Sequence, residues 1–293
     1  MRWLVALDES DFSERIIGWM RAFPHPKNTV VTVVHVLEPL EVPDAIGARG
    51  QQFVRQQQEA IVEALLERAR MLLEQSFENV EVILREGVPS QEILRLIREH
   101  QPDLVVSGTR GLYQDAGFAF GSVSQRLLAY APCSLMLVPG KVSSCQGMRV
   151  MLATDGSEDA QRASRLVADL PGVREVTIVS AVRPLGAEKA VLERFQNVES
   201  RRMETEFLRN RRAAARKAIA DTMDLLKGTQ ATIRTRVVVG HPAQAIVRAA
   251  RCDAVDLLVV GSRGLTGVKA VALGSVSQAV AQLATCPVLI VKP

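Results

Sequence analysis

Five segments in the first half of the 293-residue chain recur, in the same order, in the second half. The pairs are LVALDES and VMLATDGS, VTVVHVLEPL and VTIVSAVRPL, REGVPSQEILRLI and VVGHPAQAIVRAA, PDLVVSGTRGL and VDLLVVGSRGL, and GSVSQRLLAYAPCSLMLV and GSVSQAVAQLATCPVLIV. The offset is 147 residues at the first pair and 153 from Gly87 onward, so the second copy has six extra residues in its middle. A repeat of this length predicts two domains of one fold, here 1–140 and 148–293, joined by the Gly- and Ser-containing segment PGKVSSCQGM.

Each copy alternates short apolar runs with segments of helical periodicity, in the order β-α-β-α-β-α-β-α-β. In the first copy the expected strands are 2–7, 30–36, 80–85, 104–107 and 135–138, and the expected helices are 10–22, 50–76, 90–101 and 122–130. Such alternation predicts parallel strands with right-handed crossovers. The predicted fold class is therefore α/β, with two tandem, open, doubly wound, Rossmann-like parallel sheets of five strands each and helices on both faces. Ligands bind such sheets at the carboxyl ends of the strands.

The amino-acid composition limits the kinds of molecule that the protein is expected to bind. Aromatic residues are only 4% of the chain, which argues against stacking platforms for single-stranded nucleic acid, and we do not expect a nucleic-acid partner. The net charge of +4 is concentrated in residues 201–217, which hold seven basic and two acidic residues. That segment is either a surface for an anionic partner or a solvated helix face of mixed charge, and its Ala-rich helical spacing favours the second interpretation.

Cysteine usage and hydropathy predict a cytoplasmic protein. The four cysteines, at 133, 145, 252 and 286, form no CxxC pair, so neither a zinc site nor a disulfide framework is expected. The N-terminal sequence lacks the apolar segment of a signal peptide, and no run approaches the roughly 18 apolar residues of a membrane span.

Two glycine-rich loops are the strongest candidates for a binding site. GSRGLTGVKAVALGS (261–275) and GTRGLYQDAGFAFGS (108–122) each follow an apolar strand and share their glycine spacing. Glycines permit positive φ and close backbone approach to an anion, and exposed N–H groups form a nest for it. The helix starts that follow, 121–124 and 274–277, offer free N–H groups and hydroxyl donors. The alternative is a pair of tight turns inherited through duplication. The candidate residues are Gly108, Gly111, Gly121, Ser122, Val123, Ser124, Gly261, Gly264, Gly274, Ser275, Val276 and Ser277.

Asp8 and Asp155 end the first strand of each copy. A carboxylate there accepts hydrogen bonds from a ribose or an adenine amine, whereas Ser10 and Ser157 are expected to be helix N-caps. The Gly-x-Pro turns at 87–89 and 240–242 are expected to be structural, with Pro in the first helical turn. The chain has no Walker A motif, no GxGxxG and no GxSxG elbow, and its histidines lack metal-ligand spacing.

These residues resemble the universal stress protein family in its tandem two-domain form. The Asp after the first strand, the HV ending the second strand at Val36, the Gly-x-Pro turn and two intact G-x2-G-x9-G-S motifs carry the resemblance over nearly the whole chain. Family members that keep the glycine motif bind ATP. The resemblance thus implies an ATP-binding regulatory protein of stress responses, with ATP held alone or with Mg²⁺, and little or slow hydrolysis. A slow ATPase or nucleotidyl-transferring enzyme and a nucleotide-free scaffold are the alternatives.

The resemblance also implies roles for individual residues. Asp8 and Asp155 would contact ribose or adenine, Val36 and Ala181 would line the adenine pocket, and the glycine-motif residues would hold ribose and phosphates. Arg110, Arg263 and Lys269 would pair with phosphate charge. In relatives the last strand often pairs with that of another domain, which implies an intrachain pseudo-dimer, a homodimer or both.

The first copy departs from the family pattern. Glu9 replaces the Gly of DGS, Asp115 adds a negative charge, and nothing matches Lys269. We therefore expect weaker ATP binding in the first copy.

Overall fold

The computed structural model of the chain describes residues 1–39, 47–109, 120–139, 147–185, 198–265 and 273–293. It divides into two compact units, Met1–Gln146 and Gly147–Lys292. Within each unit the elements follow the predicted alternation of strand and helix.

Unit 1 contains five strands and, among its described residues, four helices. The strands are β1 (Arg2–Ala6), β2 (Val30–Leu37), β3 (Asn79–Glu86), β4 (Leu104–Gly108) and β5 (Ser134–Val138). The helices are α1 (Asp11–Ala22), α2 (Gly47–Leu73), α3 (Pro89–His100) and α4 (Ser122–Tyr130). The predicted boundaries were wrong by one to three residues at most ends, and α4 begins and ends where predicted.

Unit 2 repeats the pattern. Its strands are β6 (Met148–Ala153), β7 (Val173–Val182), β8 (Thr232–Val239), β9 (Leu257–Gly261) and β10 (Val288–Val291). The described helices are α5 (Glu158–Asp169), α6 (Val198–Leu225), α7 (Pro242–Cys252) and α8 (Ser275–Leu283).

All strand pairs within each unit are parallel, and the strand order is the same in both. It is β3-β2-β1-β4-β5 in unit 1 and β8-β7-β6-β9-β10 in unit 2. This is the predicted doubly wound α/β fold. The direction of strand addition reverses between β1 and β4, and between β6 and β9, so a crevice opens at the carboxyl ends of these central strands.

Burial follows from the sequence of the central strands. β4, β5, β9 and β10 are buried along their whole length and consist mainly of Val, Leu and Ile, as expected of parallel strands covered on both faces. Ser10 and Ser157 accept hydrogen bonds from the backbone N–H groups of Phe12 and Ala160, so both are the predicted N-caps. No helix in the described part of the chain is long and apolar enough to span a membrane.

The basic segment is helical, because residues 201–217 lie within α6. Arg202, Arg209, Arg212, Arg216 and Lys217 are exposed. The structure therefore agrees with the predicted solvated helix face.

The Gly-x-Pro turns have the same conformation in both units. Gly87 and Gly240 have φ of 141° and 149°, and each donates its N–H to the last residue of the second strand, Leu37 or Val182. Backbone in this region is open almost only to glycine. The predicted structural role is confirmed by this geometry.

We expect Gly240→Ala to lower the free energy of unfolding by about 1–3 kcal/mol, because alanine is strained at this φ. Urea unfolding followed by circular dichroism measures the change. Gly228→Ala is the matched control, since φ at Gly228 is not positive and an added Cβ meets nothing within 4 Å. Equal stability of the two variants would contradict the assignment.

Candidate nucleotide-binding site

The site in unit 2 begins where the end of β9 touches the first turn of α5. A Cβ added to Gly261 would lie 2.6 Å from the carbonyl carbon of Asp159 and 2.7 Å from the nitrogen of Ala160. Only a glycine allows the helix backbone to approach the strand this closely. Gly261 is therefore required for packing between strand and helix, a role that the sequence analysis had not assigned to it.

A cavity of about 360 Å³ opens beside this contact, at the carboxyl ends of the unit 2 strands. Nine of the ten residues predicted for this half line it, namely Asp155, Ala181, Gly261, Arg263, Gly264, Gly274, Ser275, Val276 and Ser277. Its walls also include the apolar side chains of Ala153, Ala160, Pro242, Ile246, Val260 and Leu273. Lys269, the tenth, lies outside the described residues, as do Arg110 and Gly111 of unit 1. The structure thus gathers residues that are more than a hundred positions apart in the sequence.

Three alternate residues at the start of α5 bind the backbone that leaves β9. The Asp155 carboxylate accepts a hydrogen bond from the N–H of Leu265 at 3.0 Å, and the Ser157 hydroxyl donates to the carbonyl of Arg263 at 3.1 Å. Asp159 accepts from the N–H of Arg263 at 3.0 Å. We call Asp155, Ser157 and Asp159 the α5 clasp. Because it binds backbone groups of residues 263 and 265, it fixes the course of the glycine loop as far as residue 265.

Asp159 is the central residue of the clasp, and the sequence analysis missed it. It is 5% exposed, and one of its oxygens, Oδ2, accepts from Ser262 Oγ at 2.5 Å and from Arg263 Nε at 3.2 Å. Its other oxygen accepts from Arg162 at 2.6 Å. Burial opposes ionisation, but the hydrogen bonds from Ser262 and Arg263 and the charges of Arg263 and Arg162 outweigh it and lower the pKa of Asp159. A signal existed in the alternation of polar residues in DGSED, but an acidic residue in a first helical turn is also common on exposed helices.

Two expectations about the glycine motif are corrected by the geometry. Gly121 and Gly274 have φ of −74°, and Gly261 and Gly264 do not have positive φ either, so none of the four provides a left-handed backbone. Close approach explains Gly261, Gly264 and Gly274, because other residues lie within 3.4 Å of a Cβ added at each. Gly264 illustrates this, because its added Cβ would lie 2.5 Å from Asp155 Oδ2.

The second correction concerns two hydroxyl groups. Ser124 donates to the carbonyl of Gly108 at 2.6 Å, and Ser277 donates to that of Gly261 at 2.7 Å. Both side chains are buried. Their single donors therefore tie the helix start to the strand, which leaves the exposed Ser122 and Ser275 as the hydroxyls that can reach a ligand.

Unit 1 repeats this framework. Gly121 donates its N–H to the carbonyl of Thr109, as Gly274 does to Ser262, both at 2.8 Å. Asp8 accepts hydrogen bonds from the N–H and hydroxyl of Ser10 and from the hydroxyl of Ser13. The third clasp position is different, because Phe12 stands where unit 2 has Asp159, and Arg15 lies over its ring.

Four lining positions carry a larger side chain in unit 1 than in unit 2. In unit 1, Leu7 stands in place of Thr154, Ser13 in place of Ala160, Val36 in place of Ala181 and Phe120 in place of Leu273. The cavity described in unit 1 lies elsewhere, lined by residues of α2 and of the ends of β2 and β3, including Leu37, Arg55 and Glu86. None of its lining residues belongs to the predicted site.

Glu9 of unit 1 approaches a buried histidine, His35, at 3.8 Å. Burial lowers the pKa of His35, although Glu9, the Leu7 carbonyl and Asp8 act in the opposite direction. The imidazole is thus neutral at neutral pH, and it does not cancel the negative charge of Glu9, which follows Asp8 in the loop after β1.

Comparison with known proteins identifies the family. The universal stress protein family profile matches residues 1–139 and 148–292. The chain belongs to the universal stress protein family. Curated universal stress proteins of Mycolicibacterium smegmatis and Mycobacterium tuberculosis are 25% and 26% identical to it, over 99% of this chain and 96% and 95% of theirs. A universal stress protein structure from Archaeoglobus fulgidus superposes with a TM-score of 0.67 at 19% identity and covers 99% of this chain and 98% of its own.

Membership of the universal stress protein family confirms the resemblance and the tandem α/β fold. The two profile matches coincide with the two repeats found in the sequence and fall one in each structural unit. The duplicated framework of hydrogen bonds is therefore the universal stress protein fold occurring twice in this chain.

Gly261→Ala is expected to lower the free energy of unfolding by about 1–3 kcal/mol, because the new methyl group must push the first turn of α5 away from β9. Denaturant unfolding followed by circular dichroism measures this change. In the control variant Gly228→Ala the added Cβ meets nothing within 4 Å. A Gly261→Ala variant as stable as the wild type would show that helix and strand are not in contact.

Asp159→Asn should make the free energy of unfolding less dependent on pH in the acidic range. The pKa of Asp159 lies below its ordinary value of 3.8, so the carboxylate stabilises the fold above that pH, and the contribution is lost as pH falls through the lower, folded pKa. We expect the wild type to exceed the variant by about 1–3 kcal/mol near neutral pH, and the difference to shrink below pH 3.8. Unfolding curves at several pH values test this, and a constant difference would contradict it.

Proposed function

We propose that this chain is an adenine-nucleotide-binding regulatory protein of stress responses, with ATP held in unit 2 at the carboxyl ends of the strands. The observation that carries the proposal is the cavity of about 360 Å³, which nine of the ten residues predicted for this half line. Its size and its mixture of apolar walls with a few polar groups are typical of small-molecule sites. Ala181 and the neighbouring aliphatic side chains would contact adenine, and Asp155 would contact the ribose.

The start of α8 supports the placement of the phosphates. α8 begins at Ser275, and its N-cap, Gly274, has no side chain to satisfy the first backbone N–H groups. Ser275 is exposed and Val276 half-buried, and both line the cavity. Free N–H groups and the positive end of the helix dipole favour an anion here. Mg²⁺ would arrive with the phosphates of its nucleotide.

Unit 2 is proposed to bind ATP more tightly than unit 1. Four positions equivalent to the unit 2 lining carry a larger side chain in unit 1, and one, Ser107 in place of Val260, carries a smaller one, so the unit 1 site is expected to have less space. The Glu9 charge beside the neutral His35 also opposes an anion. Separate affinities for the two units, from equilibrium titrations in which each is disabled in turn, test this order. Tighter binding by unit 1 would reverse it.

Hydrolysis is proposed to be slow. Among the described residues that line the cavity, Asp155 is the one carboxylate, and it already accepts hydrogen bonds from the N–H groups of Ser157 and Leu265. A general base for water needs a free lone pair beside the γ-phosphate, whereas Asp155 lies at the proposed ribose end. Phosphate release well above one per minute would favour the alternative, an ATPase or nucleotidyl-transferring enzyme.

The ligand can be identified directly. The full chain is purified under mild conditions and denatured, and the released small molecules are identified and quantified by mass spectrometry. An adenine nucleotide at up to one per unit supports the proposal. Failure of the stripped protein to bind AMP, ADP or ATP, with and without Mg²⁺, would instead support a scaffold without nucleotide. The cytoplasmic location and the homodimer or pseudo-dimer remain predictions, and the protein partner is unknown.

Ser275→Glu is expected to weaken ATP binding by unit 2 at least about tenfold, because a carboxylate at the helix start occupies the place of the phosphates and repels them. The same change favours the helix itself, so unit 2 should remain folded. Isothermal titration measures the loss. Ser275→Gln, similar in size and uncharged, is the control and should keep most of the affinity. Equal ATP affinity of the two variants would show that the phosphates do not bind at the start of α8.

A further inference from the structure

We infer that Asp159 is a positioning residue for phosphate recognition, which holds Arg263 so that the guanidinium group presents its two terminal nitrogens to the nucleotide. This inference rests on the proposed function of unit 2. Asp159 does not line the cavity, whereas Arg263 does, so Asp159 acts through Arg263.

Arg263 is held along one edge only. Its backbone N–H and its Nε both donate to Asp159 Oδ2, at 3.0 and 3.2 Å. Its terminal nitrogens, Nη1 and Nη2, make no hydrogen bond to any residue that the structure describes. The side chain is 29% exposed. A guanidinium fixed at Nε keeps the planar pair of terminal donors that matches two oxygens of a phosphate.

The anchor for Arg263, Asp159, is itself buried and hydrogen-bonded on both carboxylate oxygens. Asp159 is 5% exposed, and it is held by the Ser262 hydroxyl at 2.5 Å and by Arg162 at 2.6 Å. An arginine side chain normally loses rotamer entropy when a ligand orders it. Because Asp159 orders part of this side chain in advance, less of that entropy remains to be lost on binding.

Asp159 does not cancel the positive charge. Arg162 and Arg263 both lie within ion-pair distance of it, at 2.6 and 3.2 Å, so two guanidinium groups share one carboxylate. The other acid near Arg162 is Glu158, at 3.7 Å, and its side chain is 86% exposed and therefore screened by water. Asp159 therefore neutralises at most one of the two guanidinium groups, and the terminal nitrogens of Arg263 are left to meet an anion.

The test separates phosphate recognition from binding of the nucleoside. Wild-type full chain, Asp159→Ala, Arg263→Ala and the double variant are titrated with adenosine and with ATP. Binding is followed by hydrogen–deuterium exchange of peptides from 153–160, 257–265 and 273–283, which report unit 2 alone. The same peptides without ligand show whether the loop is folded. Glu158→Ala is the matched control, because it removes a neighbouring carboxylate that contacts Arg162 and not Arg263.

We expect Asp159→Ala to weaken ATP binding by unit 2 about tenfold, the size of effect that follows the loss of a charged hydrogen bond. Adenosine binding should change less than about twofold. In the Arg263→Ala background, adding Asp159→Ala should leave the ratio of ATP affinity to adenosine affinity unchanged. Glu158→Ala should leave the ratio unchanged. Asp159→Asn keeps an acceptor for Ser262 and for the Arg263 N–H, and it should lower the ratio at least about threefold even if the Ala variant is unfolded.

Three results would overturn the inference. The first is that Asp159→Ala and Asp159→Asn bind ATP as tightly as the wild type or more tightly. The second is that these variants lose affinity equally for adenosine and for ATP. The third is that Asp159→Ala lowers the ATP affinity by the same factor with and without the Arg263 side chain. The second and third would make Asp159 a purely structural residue. If the wild type binds neither ligand, the proposed function fails with the inference, whereas normal wild-type binding with an unchanged ratio refutes the inference alone.

Discussion

The site in unit 2 depends on the contact between Gly261 at the end of β9 and the first turn of α5. This contact leaves no room for a side chain at Gly261, and it brings Asp155, Ser157 and Asp159 within hydrogen-bond distance of the backbone that follows. The clasp then fixes residues 262–265, and the Gly274 N–H bond to Ser262 places the start of α8 beside them. The loop backbone at 262–265 and the start of α8 are thus already in place before a ligand binds, whereas a mobile loop would have to be ordered by the ligand.

The two units show how one framework can be retained while a site diverges. Strand order, the Gly-x-Pro turn and the serine bonds of Ser124 and Ser277 are the same in both. The differences lie at and behind the cavity wall, where Phe120 replaces the lining residue Leu273 and Phe12 replaces Asp159, which holds the lining residue Arg263. Residues that hold the sheet and helices together, including the lining residues Gly261 and Ser277, are constrained by packing, whereas the other lining side chains can change with the ligand.

Most of the fold could be predicted from the sequence, because the repeat supplied each element twice and buried parallel strands are strongly apolar. Nine of the residues that line the unit 2 cavity could also be predicted, since they follow strand ends and glycines that are visible in the sequence, whereas the apolar wall could not. Asp159 could not, because its role depends on Ser262 and Arg263, 103 and 104 residues away. The use of Ser277 for internal bonding was equally hidden, since a hydroxyl at a helix start can face a strand or a ligand.

The most direct test of the account is a crystal structure of the full chain grown with ATP. The account predicts adenine between Ala181 and the aliphatic wall of the unit 2 cavity, phosphates at the start of α8 beside Ser275, and a terminal nitrogen of Arg263 within hydrogen-bond distance of a phosphate oxygen. An empty unit 2 cavity at saturating ATP, or a nucleotide bound only at another surface, would contradict it.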